Sequence, residues 1–176
     1  MAFADPKDNL KNLNIREGLQ VADFGTGSGF YAIELARRVG STGRVYAIDV
    51  QKDLLTKLQN KAKDEHLTNI EVIWGDLDTL GGTKLADNLL DAALISNVLF
   101  QSEHKVNLIA EAARILKQGG EVIVIDWSES FGGLGPQPAH VFKASEAEVM
   151  FAKSGFAMVK SFEAGEHHWG LLFKKL

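Results

Sequence analysis

The sequence predicts an α/β fold: a doubly wound sheet of seven strands, mostly parallel, that ends on an antiparallel C-terminal strand. Three observations predict it. From Gln20 to Trp127, short apolar runs of strand character alternate with amphipathic helical segments. The first apolar run ends in Gly25-Thr26-Gly27-Ser28-Gly29, and helical spacing begins at once. The last two apolar runs are separated only by a short turn, which makes them a hairpin. Strands alternating with helices imply right-handed crossovers and a parallel sheet covered on both faces.

Gln20 to Phe24 is the first strand. Ser28 to Val39 reads as a helix, with Ile33, Ala36 and Val39 at helical spacing. Arg44 to Val50, rich in β-branched and aromatic residues, is the second strand. Gln51 to His66 is a helix with Leu54, Leu55, Leu58 and Ala62 on one side, and Ile70 to Trp74 is the third strand. Leu89 to Ser96 is almost wholly apolar, as a strand covered on both faces must be. Ser102 to Leu116 is a helix closed by Lys117-Gln118-Gly119-Gly120, and Glu121 to Trp127 is the fifth strand. Closely spaced glycines and prolines make Phe131 to Pro138 a loop. Ser145 to Ser154 is the last helix, stopped by Gly155. Ala157 to Glu163 and His167 to Lys174 form the hairpin around Ala164-Gly165-Glu166.

The chain has 176 residues, enough for one domain with a real core. Its formal net charge is −4, which gives no general attraction to phosphate backbones and speaks against a nucleic-acid partner. It has no cysteine, so disulfides, thiolate metal sites and cysteine nucleophiles are excluded. Met1 to Asp8 lacks the charged start and apolar stretch of a secretory signal. No apolar run reaches the ~18 residues of a membrane span. A soluble, cytoplasmic protein is the expectation.

The glycine turn is the first candidate site. Glycines permit a tight turn and let a ligand lie against bare backbone. The helix behind supplies free N–H groups and partial positive charge. In an open parallel sheet, ligands settle where the strand order reverses. The spacing is G-x-G-x-G, and Phe30 stands where a dinucleotide fingerprint would place its third glycine. Asp23, directly before the turn, would repel a phosphate and suits a ligand bearing an amine. Asp49 ends the second strand close to ~20 residues further on, where a carboxylate accepts from ribose hydroxyls; the alternative is a cap for the next helix. Asp76, in Trp74-Gly75-Asp76-Leu77, is placed to accept from an adenine amino group or is a loop aspartate. Asn97 ends the fourth strand at the middle of the crevice or caps the next helix.

Asp23 to Gly29, Val45-Tyr46-Ala47-Ile48-Asp49, Gly75-Asp76-Leu77 and Ile115-Leu116-Lys117-Gln118-Gly119-Gly120 resemble, in order and spacing, the motifs of the class I S-adenosylmethionine-dependent methyltransferases. The terminal hairpin is similar to that family's reversed last strand. The resemblance implies a Rossmann-like sheet in a single domain, residues 1–176, with a cofactor-binding half to about residue 127 and an acceptor side beyond it. It implies that S-adenosylmethionine is the cofactor and S-adenosylhomocysteine the product, with no metal. Gly25, Thr26, Gly27, Ser28 and Gly29 would cradle the methionine part, with Asp23 near its amine through water. Asp49 would hold the ribose and Val50 would pack on the adenine. Asp76 would take the adenine amino group, with Gly75 and Leu77 beside it. Asn97 would lie near the methyl group.

Within the class, Asp126-Trp127, Gly135 to His140 and His167-His168-Trp169-Gly170 look like the small-molecule methyltransferases of the quinone-biosynthesis (type 11) group. The chain departs from that group in three places. Phe100-Gln101 replace a histidine pair after the fourth strand, Lys143 is the nearest cation where an arginine is usual, and the insertion over the active site is short. His140 and His167 are the candidate general bases, because neutral imidazole is available near neutral pH. His167 and His168 point to opposite faces of a strand, which does not favour a metal pair. Phe3, with Asp5-Pro6, is the candidate for an N-terminal lip. Three functions fit: methyl transfer to a small molecule, methyl transfer to protein or RNA with a partner's help, and a non-catalytic cofactor-binding module.

Overall fold

The computed structural model describes residues 4–176, so Phe3 lies outside the described residues. One seven-stranded sheet organises the chain, in the order β3-β2-β1-β4-β5-β7-β6. Its strands are β1 (Gln20–Phe24), β2 (Arg44–Asp49), β3 (Ile70–Trp74), β4 (Leu90–Ser96), β5 (Leu116–Trp127), β6 (Phe156–Gly165) and β7 (His168–Lys175). Strands β1 to β5 are parallel; β7 runs antiparallel to both β5 and β6. The expected α/β class and reversed ending are therefore present.

Alternation along each strand divides the core into two layers. Val21, Val45, Ala47, Leu94 and Ile123 face α2 (Phe30–Val39) and α3 (Lys52–Asp64), together with the N-terminal α1 (Pro6–Asn9) and the 3-10 turn behind it. Phe24, Ile48, Ile95, Val124 and Phe173 face α4 (Lys105–Ile115) and α5 (Ala144–Lys153). Each fully buried Leu, Ile or Phe in these layers contributes about 1.5–3 kcal/mol of transfer energy. Among the described residues, no helix is long and apolar enough to cross a membrane.

Several element bounds shift by one to three residues, and three differences have a clear physical origin. Helix α2 starts at Phe30 rather than Ser28, because its N-cap Gly29 has φ 78° and still belongs to the turn. The β5 ladder begins at Leu116, opposite Leu90, and resumes at Glu121, opposite Ala92. Lys117 to Gly120 is thus a bulge carried within the strand, with Gly119 at φ 77°. Helix α1, not foreseen, is capped by the Asp5 side chain, which accepts from the Lys7 N–H.

The crossover from β3 to β4 contains no helix, and one ion cluster anchors it. Glu111 on α4 is fully buried and accepts from the Gly81 and Thr83 N–H groups. Arg114, one helical turn on, donates to Glu111 at 2.7 and 2.9 Å and reaches Asp87. Burial opposes the charge, but the hydrogen bonds from Arg114, Thr83 and Gly81 win and hold the Glu111 carboxyl at about 2. The loop is thereby fixed at one end of the sheet, where Asp76 to Asp78 meet the crevice.

Candidate functional site

The sheet order reverses between β1 and β4, which lie side by side with Phe24 opposite Ile95. Helix connections leave β1 on one face and β4 on the other, so a crevice opens beyond their carboxyl ends. Two adjoining cavities fill it, of about 430 and 410 Å³, sharing Gly25, Gly27, Ser96 and Asn97.

The glycine turn forms the common wall. The Gly25 and Thr26 N–H groups both donate to the Ile48 carbonyl, at 2.8 and 3.0 Å, tying the turn to the end of β2. A Cβ on Gly25 would stand 2.5 Å from the Val98 side chain, so only glycine allows this approach. Gly27, at φ 52°, keeps its backbone bare toward both cavities. Thr26 and Ser28 line the second cavity. Gly29 and Gly75 stand behind the walls: Gly29 packs on Leu58, and Gly75 lies against the Gly82 carbonyl.

Asp49 is buried, and each of its oxygens holds one backbone donor, Gly27 N–H at 2.9 Å and Gln51 N–H at 2.8 Å. The N-cap of α3 is Gln51, so Asp49 lies before the helix and links it to the glycine turn. A carboxylate has about four acceptor sites, which leaves room for two more donors. Val50, Asp76 and Leu77 line the same first cavity. Asp76 is exposed and accepts from Asp78 N–H and the Thr79 hydroxyl. Asp78, which the sequence reading did not single out, also lines this cavity. It accepts from the Ser102 hydroxyl and from the Glu103 and His104 N–H groups, and so fixes the approach to α4.

The second cavity holds Asp23 and the rim of β4, β5 and β7. Asp23 is buried and accepts from the Thr26 hydroxyl at 2.6 Å. Burial raises its carboxyl to about 6 despite that bond. Asn97 lines both cavities; its φ is 57°, a left-handed value that asparagine tolerates. Its buried Oδ1 has no hydrogen-bond donor within the protein. Trp127 at the end of β5 and His168 at the start of β7 are cross-strand partners, with ring centroids 4.3 Å apart. Both line the second cavity.

Asp126 lies fully buried beside Trp127 and accepts from the Phe100 and Trp127 N–H groups, fixing the turn after β4. Burial raises it, like Asp23, to about 6. Buried Asn9 of α1 donates to the Tyr31 hydroxyl and to the Ala164 carbonyl, both at 2.9 Å, which pins the N-terminal segment at the mouth; Ala4 and Pro6 line it.

The two expected bases sit elsewhere. His140 ends an exposed 3-10 turn. His167 lines neither cavity; its Nδ1 is 2.8 Å from Glu129, and its ring stacks on Phe131 at 3.8 Å. Alternation along the strand brings His168 to the crevice instead.

Four carboxylates line the crevice, Asp23, Asp49, Asp76 and Asp78, and among the described residues no lysine or arginine does. A pyrophosphate would meet four carboxylates there, with only the helix N-terminus to offset them. A nucleoside carrying an ammonium and a sulfonium would find ribose and amine acceptors, and Asn97 Oδ1 offers a further buried acceptor. The residues present thus fit S-adenosylmethionine. Among the described residues, no group of three or more His, Asp or Glu side chains could hold a metal ion.

These features define a class: a Rossmann-like α/β protein with an acidic crevice at the switch point of its sheet. The family follows from comparison with known proteins. A family model described as a methyltransferase domain matches residues 15–171, and the chain belongs to that family, within the S-adenosylmethionine-dependent methyltransferases. It is 28% identical over 123 residues to a demethylmenaquinone methyltransferase of Geobacillus sp. (strain WCH70), covering 70% of this chain and 51% of that one. It is 31% identical over 127 residues to a ubiquinone/menaquinone biosynthesis C-methyltransferase of Chromobacterium violaceum, covering 72% and 50%. The chain spans about half the length of these curated relatives. The crystal structure of a SAM-dependent methyltransferase from Aquifex aeolicus is similar with a TM-score of 0.88 at 28% identity, covering 98% of this chain and 90% of that one.

Proposed function

We propose that residues 1–176 act as one methyltransferase domain that moves the methyl group of S-adenosylmethionine to a small molecule in the cytoplasm and releases S-adenosylhomocysteine. The observation that carries this reading is the crevice lining: four carboxylates, an unsatisfied buried amide oxygen and, among the described residues, no lysine or arginine. When bound, the cofactor supplies an electrophilic methyl group. The chain supplies orientation and electrostatics. Asp49 and the bare Gly27 backbone hold the ribose side; Val50, Asp76 and Leu77 receive the adenine. Asp23, charged above a pH of about 6, faces the ammonium. Holding the acceptor in line with the methyl carbon accounts for most of the acceleration such a site offers.

The acceptor we propose is a neutral, planar molecule of quinol type. The names of the curated relatives support it, and so does the absence of any cation lining either cavity to pair an anionic acceptor. Calorimetry tests the reading. S-adenosylmethionine and S-adenosylhomocysteine are expected to bind; a folded sample that binds a nicotinamide dinucleotide and neither of these would sink it. Transfer of labelled methyl to protein or RNA extracts, with none to quinols, phenols or amines, would move the acceptor to a macromolecule.

A further inference from the structure

We propose that His168 is a catalytic base: its imidazole takes the hydroxyl proton of an aromatic hydroxyl acceptor, a phenol or quinol, seated against Trp127. The inference rests on the methyl-transfer reading above and names the group that completes it.

His168 is 4% exposed, and neither of its ring nitrogens has a partner among the described residues. A buried polar group is almost always hydrogen-bonded, so one left without partners is poised for a ligand or water. The imidazole forms part of two walls. One belongs to the cavity of about 410 Å³ that also holds Asp23, Asn97 and Trp127. The other belongs to an open notch lined by Ser128, Glu163 and Glu166. A base in that position can take a proton from the cavity side. Its neighbour His167 does the opposite job: bonded to Glu129 and stacked on Phe131, it holds the hairpin.

The cavity chooses the acceptor class. Its walls include Phe30, Tyr31 and Trp127, which suit a planar ring, and no cationic side chain. A carboxylate or phosphate acceptor has nothing to pair with there. A neutral hydroxyl is weakly nucleophilic until it loses its proton, and neutral imidazole is the available acceptor. The titratable groups around His168 are His167 on its own strand, Asp23 and Tyr31 across the cavity, and Glu163 and Glu166 at the notch. Burial first, then His167, holds the His168 imidazole below its ordinary 6.5, so it is neutral at physiological pH.

The proton inventory closes. The hydroxyl proton passes to the imidazole. The electron pair so freed forms the bond between the methyl carbon and the neighbouring ring carbon, while the old carbon–sulfur pair stays on sulfur as a neutral thioether. The ring hydrogen then leaves as a proton and the hydroxyl regains its own, for a net release of one proton to solvent.

The test uses 1,4-naphthalenediol as quinol probe and follows S-adenosylhomocysteine formation. His168→Gln is expected to leave S-adenosylmethionine affinity unchanged by calorimetry and to lower kcat by ~10²–10⁴-fold, the range of general-base catalysis. It should also remove the acidic limb of the kcat profile, which lies below the ordinary imidazole range. Independently of any variant, nitrogen NMR of the intact chain with S-adenosylhomocysteine should show His168 neutral and its resonance moving when the diol is added. Equal kcat and an unchanged pH profile in the variant would overturn the proposal. So would an NMR signal indifferent to the diol, or transfer by the wild type to amines and not to the diol. Absence of cofactor binding by the wild type would instead overturn the reading beneath it.

Discussion

Asp23 and Glu111 are both buried carboxylates, and the protein drives them in opposite directions. Asp23 at the crevice has the Thr26 hydroxyl and the Ala32 N–H but no cation, and burial lifts it to about 6. Glu111 under the crossover has Arg114, Thr83 and Gly81, and is held at about 2. The difference lies in the partners. Glu111 is a finished interaction that fixes a loop, whereas Asp23 is left short of donors at the place where a cationic ligand would supply them.

The largest effect is expected from breaking the anchor. Glu111→Gln should destabilise the fold by about 1–3 kcal/mol, the usual cost of leaving buried hydrogen-bonding groups without their charged acceptor, as read from urea unfolding. A loss below about 1 kcal/mol would show that Arg114 and Asp87 hold the crossover alone. Asp49→Ala comes next. It removes the acceptor for Gly27 and Gln51 as well as the ribose contacts, so S-adenosylmethionine affinity should fall by roughly 10- to 100-fold, the worth of about 1.5–3 kcal/mol per charged hydrogen bond. Unchanged affinity would leave Asp49 as a backbone tether only.

Asp23 sharpens the contrast through pH. Its folded value lies above its ordinary 3.8, so its contribution to stability is full below 3.8 and is lost as pH rises through about 6. Glu111 lies below its ordinary 4.5, so its contribution is present above 4.5 and is lost as pH falls through about 2. Asp23→Asn should therefore stabilise the free protein at neutral pH, by on the order of 1–3 kcal/mol. It should at the same time weaken S-adenosylmethionine binding and abolish the fall in affinity expected below about pH 6, where the ligand must displace a proton. Calorimetry across that range reads the binding, and thermal melts read the stability. The smallest effect is expected from Asn9→Ala, which releases α1 from Tyr31 and Ala164 at a cost of about 1 kcal/mol per lost hydrogen bond. Faster proteolysis of the first residues would report it.

What the sequence disclosed follows how far each feature reaches along the chain. The glycine turn, Asp49 and the strands were legible because each depends on a few neighbouring residues. Asp78 was not, because its donors Ser102, Glu103 and His104 lie on another element. Glu111 reads as an ordinary helix carboxylate until the crossover folds against it. The choice between His167 and His168 shows the limit most clearly. Alternation says that adjacent histidines face opposite ways, but only the pairing of His168 with Trp127 says which one meets the crevice. That pairing joins residues 41 positions apart, 127 and 168, and leaves no local trace.

Strand β7 follows the other strands of the sheet in the chain, yet it lies inside the sheet, between β5 and β6. The strands that shape the glycine turn and hold Asp49 are all made earlier, and their pairings need nothing from the final hairpin. The side of the crevice formed by the glycine turn and Asp49 can thus take shape on a growing chain. The wall where Trp127 meets His168 waits for residues 168–175 to insert. An order of assembly is written into the topology: the glycine-turn side of the crevice is built first, and the His168 wall arrives later.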